Sequence, residues 1–143
     1  MKKNVTALLL LLGMVLTIFA CKKYEDDIGI FLRPPEKRLE GTWVEVNHEG
    51  PSREFEFKDD NTAIETVTST DPATNSYQNF YSWELVDKKE TLQLLVQTGS
   101  LKFPGAMEDY KLLRLGKKNL DWSIELTNPQ GGTFNSFHEF KKE

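Results

Sequence analysis

The chain has 143 residues, 28% of them charged, with 18 basic against 22 acidic side chains and a net charge of −4. An acidic balance argues against nucleic acid and anionic lipid surfaces as partners, because phosphate binding needs a basic field. The single cysteine excludes a disulfide within the chain, and the length suits one domain with a modest core.

The first residues read as a secretory signal. Lys2 and Lys3 precede an almost unbroken apolar run from Val5 to Phe19, no acidic residue occurs before Glu25, and Ala20 and Cys21 close the segment. The run is about 15 residues, short of the roughly 20 that span a bilayer, so a permanent transmembrane helix is the weaker reading. Ile18-Phe19-Ala20-Cys21 resembles a bacterial lipobox, with Phe19 where that pattern carries a small residue. The resemblance implies cleavage before Cys21 and lipidation of it, with diacylglycerol on the thiol and N-acylation by a chain such as palmitate. A lone thiol in an exported chain has no disulfide partner and needs another use, which anchoring supplies. The expected location is the cell envelope, as an outer-membrane lipoprotein facing the periplasm or the surface. Removing residues 1–20 takes two of the 18 basic residues and none of the acidic ones, which moves the net charge to −6.

Residues 21–38 read as the lipidated cysteine and a flexible tether. From Lys22 to about Lys37 the chain is mixed in charge, contains the adjacent Pro34 and Pro35, and shows neither helical nor strand periodicity. Cys21-Lys22-Lys23-Tyr24-Glu25-Asp26-Asp27 also resembles the surface-export signal of lipoproteins in the Bacteroidota. An ordinary solvated linker is the alternative.

Residues 39–143 form the folded domain. Short apolar-rich runs alternate with turn residues, which predicts about eight strands at 41–47, 53–58, 62–70, 76–86, 91–98, 108–115, 120–127 and 133–141. Phe55 and Phe57 alternate with Glu54, Glu56 and Lys58, while Leu120, Trp122, Ile124 and Leu126 alternate with Asp121, Ser123, Glu125 and Thr127. That period of two puts one face inside. Turn-forming clusters such as Asp59-Asp60-Asn61 and Asn128-Pro129-Gln130-Gly131-Gly132 separate the runs. Connections this short make consecutive strands antiparallel neighbours. Closure into an up-and-down barrel removes both exposed edges, with a two-sheet sandwich as the competing solution.

At the start of the first strand, Leu39-Glu40-Gly41-Thr42-Trp43-Val44 resembles the Gly-x-Trp signature of the lipocalin and fatty-acid-binding superfamily. Phe55 to Thr62 and Tyr81 to Leu85 are similar to the compact lipocalin-like domains of Bacteroidota lipoproteins. The resemblance implies a lipocalin-like all-β barrel in which Gly41 permits a tight approach at the closed end and Trp43 plugs it. The family's basic residue over that tryptophan has Lys141 and Arg114 as candidates.

Chemistry is sparse in this pattern. His48 in a turn and His138 in the last strand have no supporting motif, so no metal site is expected and both histidines read as structural or solvent-facing. Neither lies near a nucleophile motif, and the paired carboxylates at 26–27, 59–60 and 108–109 point apart along extended chain. The chain is therefore expected to be no enzyme, to have no catalytic residues and to use no cofactor. Aromatic residues carry what binding potential there is. Tyr77, Tyr81 and Trp83 share a face with Asn79, and with Trp122 they would line an apolar pocket or pack into a solid core. The expected partners are the membrane, through lipid on Cys21, and either a small hydrophobic ligand or an envelope protein. A filled barrel acting as an accessory or inhibitor lipoprotein is the alternative. Leu101, Phe103 and Met107, in the long connection after the fifth strand, would mark a protein interface if exposed.

Overall fold

The computed structural model describes residues 33–46, 50–71 and 75–143. The signal segment, Cys21, the charged residues 22–27 and His48 lie outside them. A one-turn helix α1 (Pro35–Leu39) leads into eight strands: β1 (Gly41–Val46), β2 (Ser52–Phe57), β3 (Thr62–Thr68), β4 (Tyr77–Val86), β5 (Thr91–Gly99), β6 (Met107–Leu115), β7 (Asn119–Thr127) and β8 (Thr133–Lys142). All eight predicted strands are present, with ends no more than two residues from the predicted ones. Each strand pairs antiparallel with the next, and β1 also pairs with β8, from Trp43 opposite Lys142 to Val46 opposite Glu139. The sheet closes as an up-and-down barrel and not as a sandwich, consistent with a calycin-like fold.

The helix is a departure from the reading of residues 21–38 as structureless tether. Pro34 and Pro35 looked like breakers, yet proline at the first helical position is pre-set for helix and forfeits only an amide that no intrahelical carbonyl would have taken. The turn folds over the end of the barrel where β1 begins. Leu39 is fully buried there, and Trp43 Nε1 donates to Leu39 O at 2.6 Å. Lys142 Nζ donates to Arg38 O at 3.1 Å and to Glu40 O, satisfying carbonyls at the helix end, and stands 5.0 Å from the centre of the Trp43 ring. Burial pushes the Lys142 ammonium below the usual lysine range, and Glu40 partly offsets this. The basic residue over the tryptophan is thus Lys142, neither of the expected candidates. Lys141 is exposed on the outer wall, and Arg114 Nε pairs with Asp121 Oδ2 at 2.8 Å.

Gly41 has φ of +115°, and a Cβ there would stand 2.7 Å from Lys142 Cε. Gly41→Ala should therefore lose about 1–3 kcal/mol and dislodge Lys142 from Trp43. Urea unfolding with the near-ultraviolet signal of Trp43 checks this, and an unchanged midpoint would remove the steric role from Gly41.

Candidate functional site

Strand alternation sends one side chain in two to the interior, and chain direction sorts the interior into two levels. Toward the closed end lies an aromatic floor. Phe55, Phe57, Tyr81, Trp83, Trp122 and Phe140 are all buried. Their rings touch one another at centroid distances such as 5.2 Å for Phe55 and Trp122, 4.4 Å for Trp122 and Phe140, and 5.9 Å for Phe57 and Trp83. Of the four residues expected to line a pocket, Tyr81, Trp83 and Trp122 pack into this floor, while Tyr77 is half-buried where β4 begins. Trp83 Nε1 spends its donor on Thr62 O at 3.0 Å.

Above the floor, toward the other end, the interior turns polar. Glu65 on β3 accepts from Tyr81 Oη at 2.6 Å and from Asn79 Nδ2 at 2.8 Å. Lys102, from the β5–β6 connection, reaches in to Glu108 Oε2 at 2.8 Å and Glu65 Oε2 at 3.4 Å, with its ammonium 5.2 Å from the Tyr81 ring centre. Tyr110 Oη donates to Glu108 Oε2 at 2.8 Å. Burial pushes the Glu65 carboxyl up, but Lys102, the two hydrogen bonds and the charge of Arg53 together hold it below the usual carboxylate range. Burial, then the facing carboxylates, drive the Tyr81 and Tyr110 phenols well above the usual tyrosine range. None of these partners is close in sequence to Glu65, so spacing alone does not reveal the cluster.

A second polar group lies on β1 and β8. His138 Nδ1 is 2.6 Å from Glu45 Oε1, and His138 Nε2 is 3.0 Å from Ser136 Oγ. The Glu45 side chain is almost wholly buried, and its other oxygen, Oε2, has no hydrogen-bond partner among the described residues. Glu45 and His138 are 93 positions apart, which explains why a search for local motifs around either histidine finds nothing. Ser136 pairs across the sheet with Ile124, and Phe134 with Leu126, all inward-facing. Phe134 and Leu126 remain 51% and 38% exposed, so an apolar lip leads down to Ser136.

Outside this interior, the β5–β6 connection displays Leu101 and Phe103 at 72% and 85% exposure, beside the exposed Met107. The loop is pinned: Gly105 N donates to Val96 O at 2.8 Å, Val96 N to Ala106 O at 2.9 Å, and Lys102 holds the interior carboxylates. The outer wall has shallow grooves of about 420 Å³, with Asp109, Lys111 and Glu125, and about 290 Å³, with Ser82, Gln93 and Met107. The first is lined by polar side chains and offers little to an apolar ligand, while the second mixes polar groups with Trp83, Leu95 and Met107. Among the described residues no three His, Cys, Asp or Glu side chains converge on a point where a metal could sit. No family model matches the chain, and no curated protein is found to be similar to it.

Proposed function

We propose that the chain is a lipocalin-like lipoprotein, anchored to the outer membrane through lipid on Cys21, that binds an envelope protein through the β5–β6 loop. The exposure of Leu101 and Phe103 on a loop held in place carries this reading. Two large apolar side chains kept in water by a fixed backbone cost free energy that a partner would recover. The mutually packed floor supports the same reading, since it leaves an interior ligand no room among Tyr81, Trp83 and Trp122. Binding of this kind needs no turnover. A second reading, a small hydrophobic ligand held at the mouth, is favoured by the exposed lip of Leu126 and Phe134.

Photo-crosslinking from position 103 of the full-length protein in its own membranes tests the first reading. A discrete protein adduct is expected. The adduct obtained from position 107 should be lost in the Leu101→Ser/Phe103→Ser variant at an unchanged melting temperature. Absence of a protein adduct, with a hydrophobic molecule co-purifying in native mass spectrometry, would transfer the assignment to the second reading.

A further inference from the structure

Beyond that binding role, we infer that Ser136, His138 and Glu45 form a nucleophilic site at the barrel mouth that hydrolyses esters of apolar acyl chains. The inference begins with the polarity of the hydrogen bonds. A carboxylate oxygen can only accept, so at 2.6 Å from Glu45 Oε1 the hydrogen belongs to His138 Nδ1. A neutral imidazole with its hydrogen on Nδ1 has its lone pair on Nε2, and Nε2 faces Ser136 Oγ at 3.0 Å. The serine hydroxyl is then the donor, which is the arrangement of a nucleophile beside its base with the base oriented by a third group. The Glu45 side chain is almost wholly out of water, and its second oxygen engages no donor among the described residues. Its charge is therefore spent on the imidazole and stabilises the imidazolium that proton transfer creates.

The surroundings define the substrate. Ile124 lies across the sheet from Ser136, and Leu126 and Phe134 form the lip beyond it, so the approach to the hydroxyl is an apolar lane open to solvent at one end. An acyl chain fits that lane, with its ester carbonyl at Ser136. Arg53 begins the inward row that Phe55 and Phe57 continue on β2, and its positive charge acts on the interior groups Glu65 and Tyr110.

The chemistry balances without another reactant than water. Ser136 Oγ attacks the ester carbon as its proton passes to His138 Nε2. The tetrahedral adduct collapses with the C–O bond of the ester breaking, and His138 returns the proton to the departing alcohol. Water, deprotonated by the same nitrogen, then releases the carboxylic acid and restores the serine.

The test uses the full-length protein with p-nitrophenyl octanoate as substrate and an alkyl fluorophosphonate as probe. Release of p-nitrophenol above the solvent rate is expected, together with a single phosphonate adduct that maps to Ser136. Ser136→Ala and His138→Gln should each lower the rate by about 10²-fold or more. Ser136→Ala removes one half-buried hydroxyl, so an unchanged melting temperature shows that the loss is chemical. Glu45 acts as a positioning residue. In Glu45→Gln the amide can donate to Nδ1 and favour the wrong tautomer, so kcat should fall with KM unchanged. Leu113→Ser, at an exposed position of β6 away from the mouth, should keep full activity, which ties any loss to the Ser136 site. A folded wild type without an adduct at Ser136, or a Ser136→Ala variant as fast as wild type, would overturn the inference.

Discussion

Trp122→Ala should destabilise the barrel by about 3–5 kcal/mol, the range for removing a large buried aromatic from a close-packed interior. Trp122 is buried and has four ring neighbours: Phe140 at 4.4 Å, Tyr110 at 5.0 Å, Phe55 at 5.2 Å and Phe57 at 6.5 Å. Phe55 and Phe57 meet it nearly edge to face, which adds to the area term. The neighbours sit on three other strands, so the void cannot be filled by shifting one element. For a domain whose total stability is about 5–15 kcal/mol, such a loss removes a large share of the margin. Urea unfolding followed by circular dichroism measures it, with the midpoint falling at constant slope. The size of the effect also discriminates. Had Tyr81, Trp83 and Trp122 lined an open pocket, truncation would enlarge a space that already existed and would cost under about 1 kcal/mol.

Strands were the legible part of this chain because burial of one sheet face imprints a period of two. Phe55 and Phe57, and the run Leu120, Trp122, Ile124 and Leu126, announce both the strand and the face that goes inside. Legibility failed where the period breaks or where contacts are remote. In β6 the pairing shifts between Leu112 and Arg114, so Leu112 and Leu115 are buried at a spacing of three, with Leu113 turned outward. The helix at Pro35–Leu39 is too short to show periodicity and is held by Lys142 from the far end of the chain. The same remoteness hid both polar clusters. Alternation puts Glu45 on the face of Trp43 and Glu65 on that of Ala63 and Val67, but a charged residue is the usual marker of a solvated face, so neither stood out in the sequence as an interior group. Both are held inside by a partner from another strand or loop, His138 for one and Lys102 for the other. Leu101 and Phe103, by contrast, were identifiable from the absence of alternation around them.

Lys102→Met should cost about 3 kcal/mol at neutral pH, the low end for removing one partner of a buried ion pair, because Lys102 keeps some contact with water. The larger consequence is a reversal in how stability depends on pH. In the wild type the Glu65 carboxyl titrates below its ordinary value of 4.5, so the folded state binds fewer protons than the unfolded one as acid is added. Its contribution is complete above about pH 4.5 and is lost as the pH falls through the lower folded value. Burial is the strongest single influence on that carboxyl and acts upward, while Lys102 is the strongest of those acting downward. With the ammonium gone, Tyr81, Asn79 and the more distant Arg53 remain as partners, Glu108 faces Glu65 without a shared cation, and burial prevails. The folded state then takes up a proton more readily than the unfolded one, and stability rises as the pH drops from 7 toward 5. Urea midpoints at pH 7 and pH 5 should therefore move in the stabilising direction on acidification for Lys102→Met, while the wild type stays level over that interval and weakens only below it. Lys102→Met/Glu65→Gln, which keeps the acceptor for Tyr81 without the charge, should recover much of the neutral stability and lose the reversal. Parallel pH profiles for all three proteins would show that Lys102 does not govern Glu65. Because the same lysine ties down the loop that carries Leu101 and Phe103, Lys102→Met should also weaken crosslinking from position 103, joining the buried carboxylates to the surface on which binding rests.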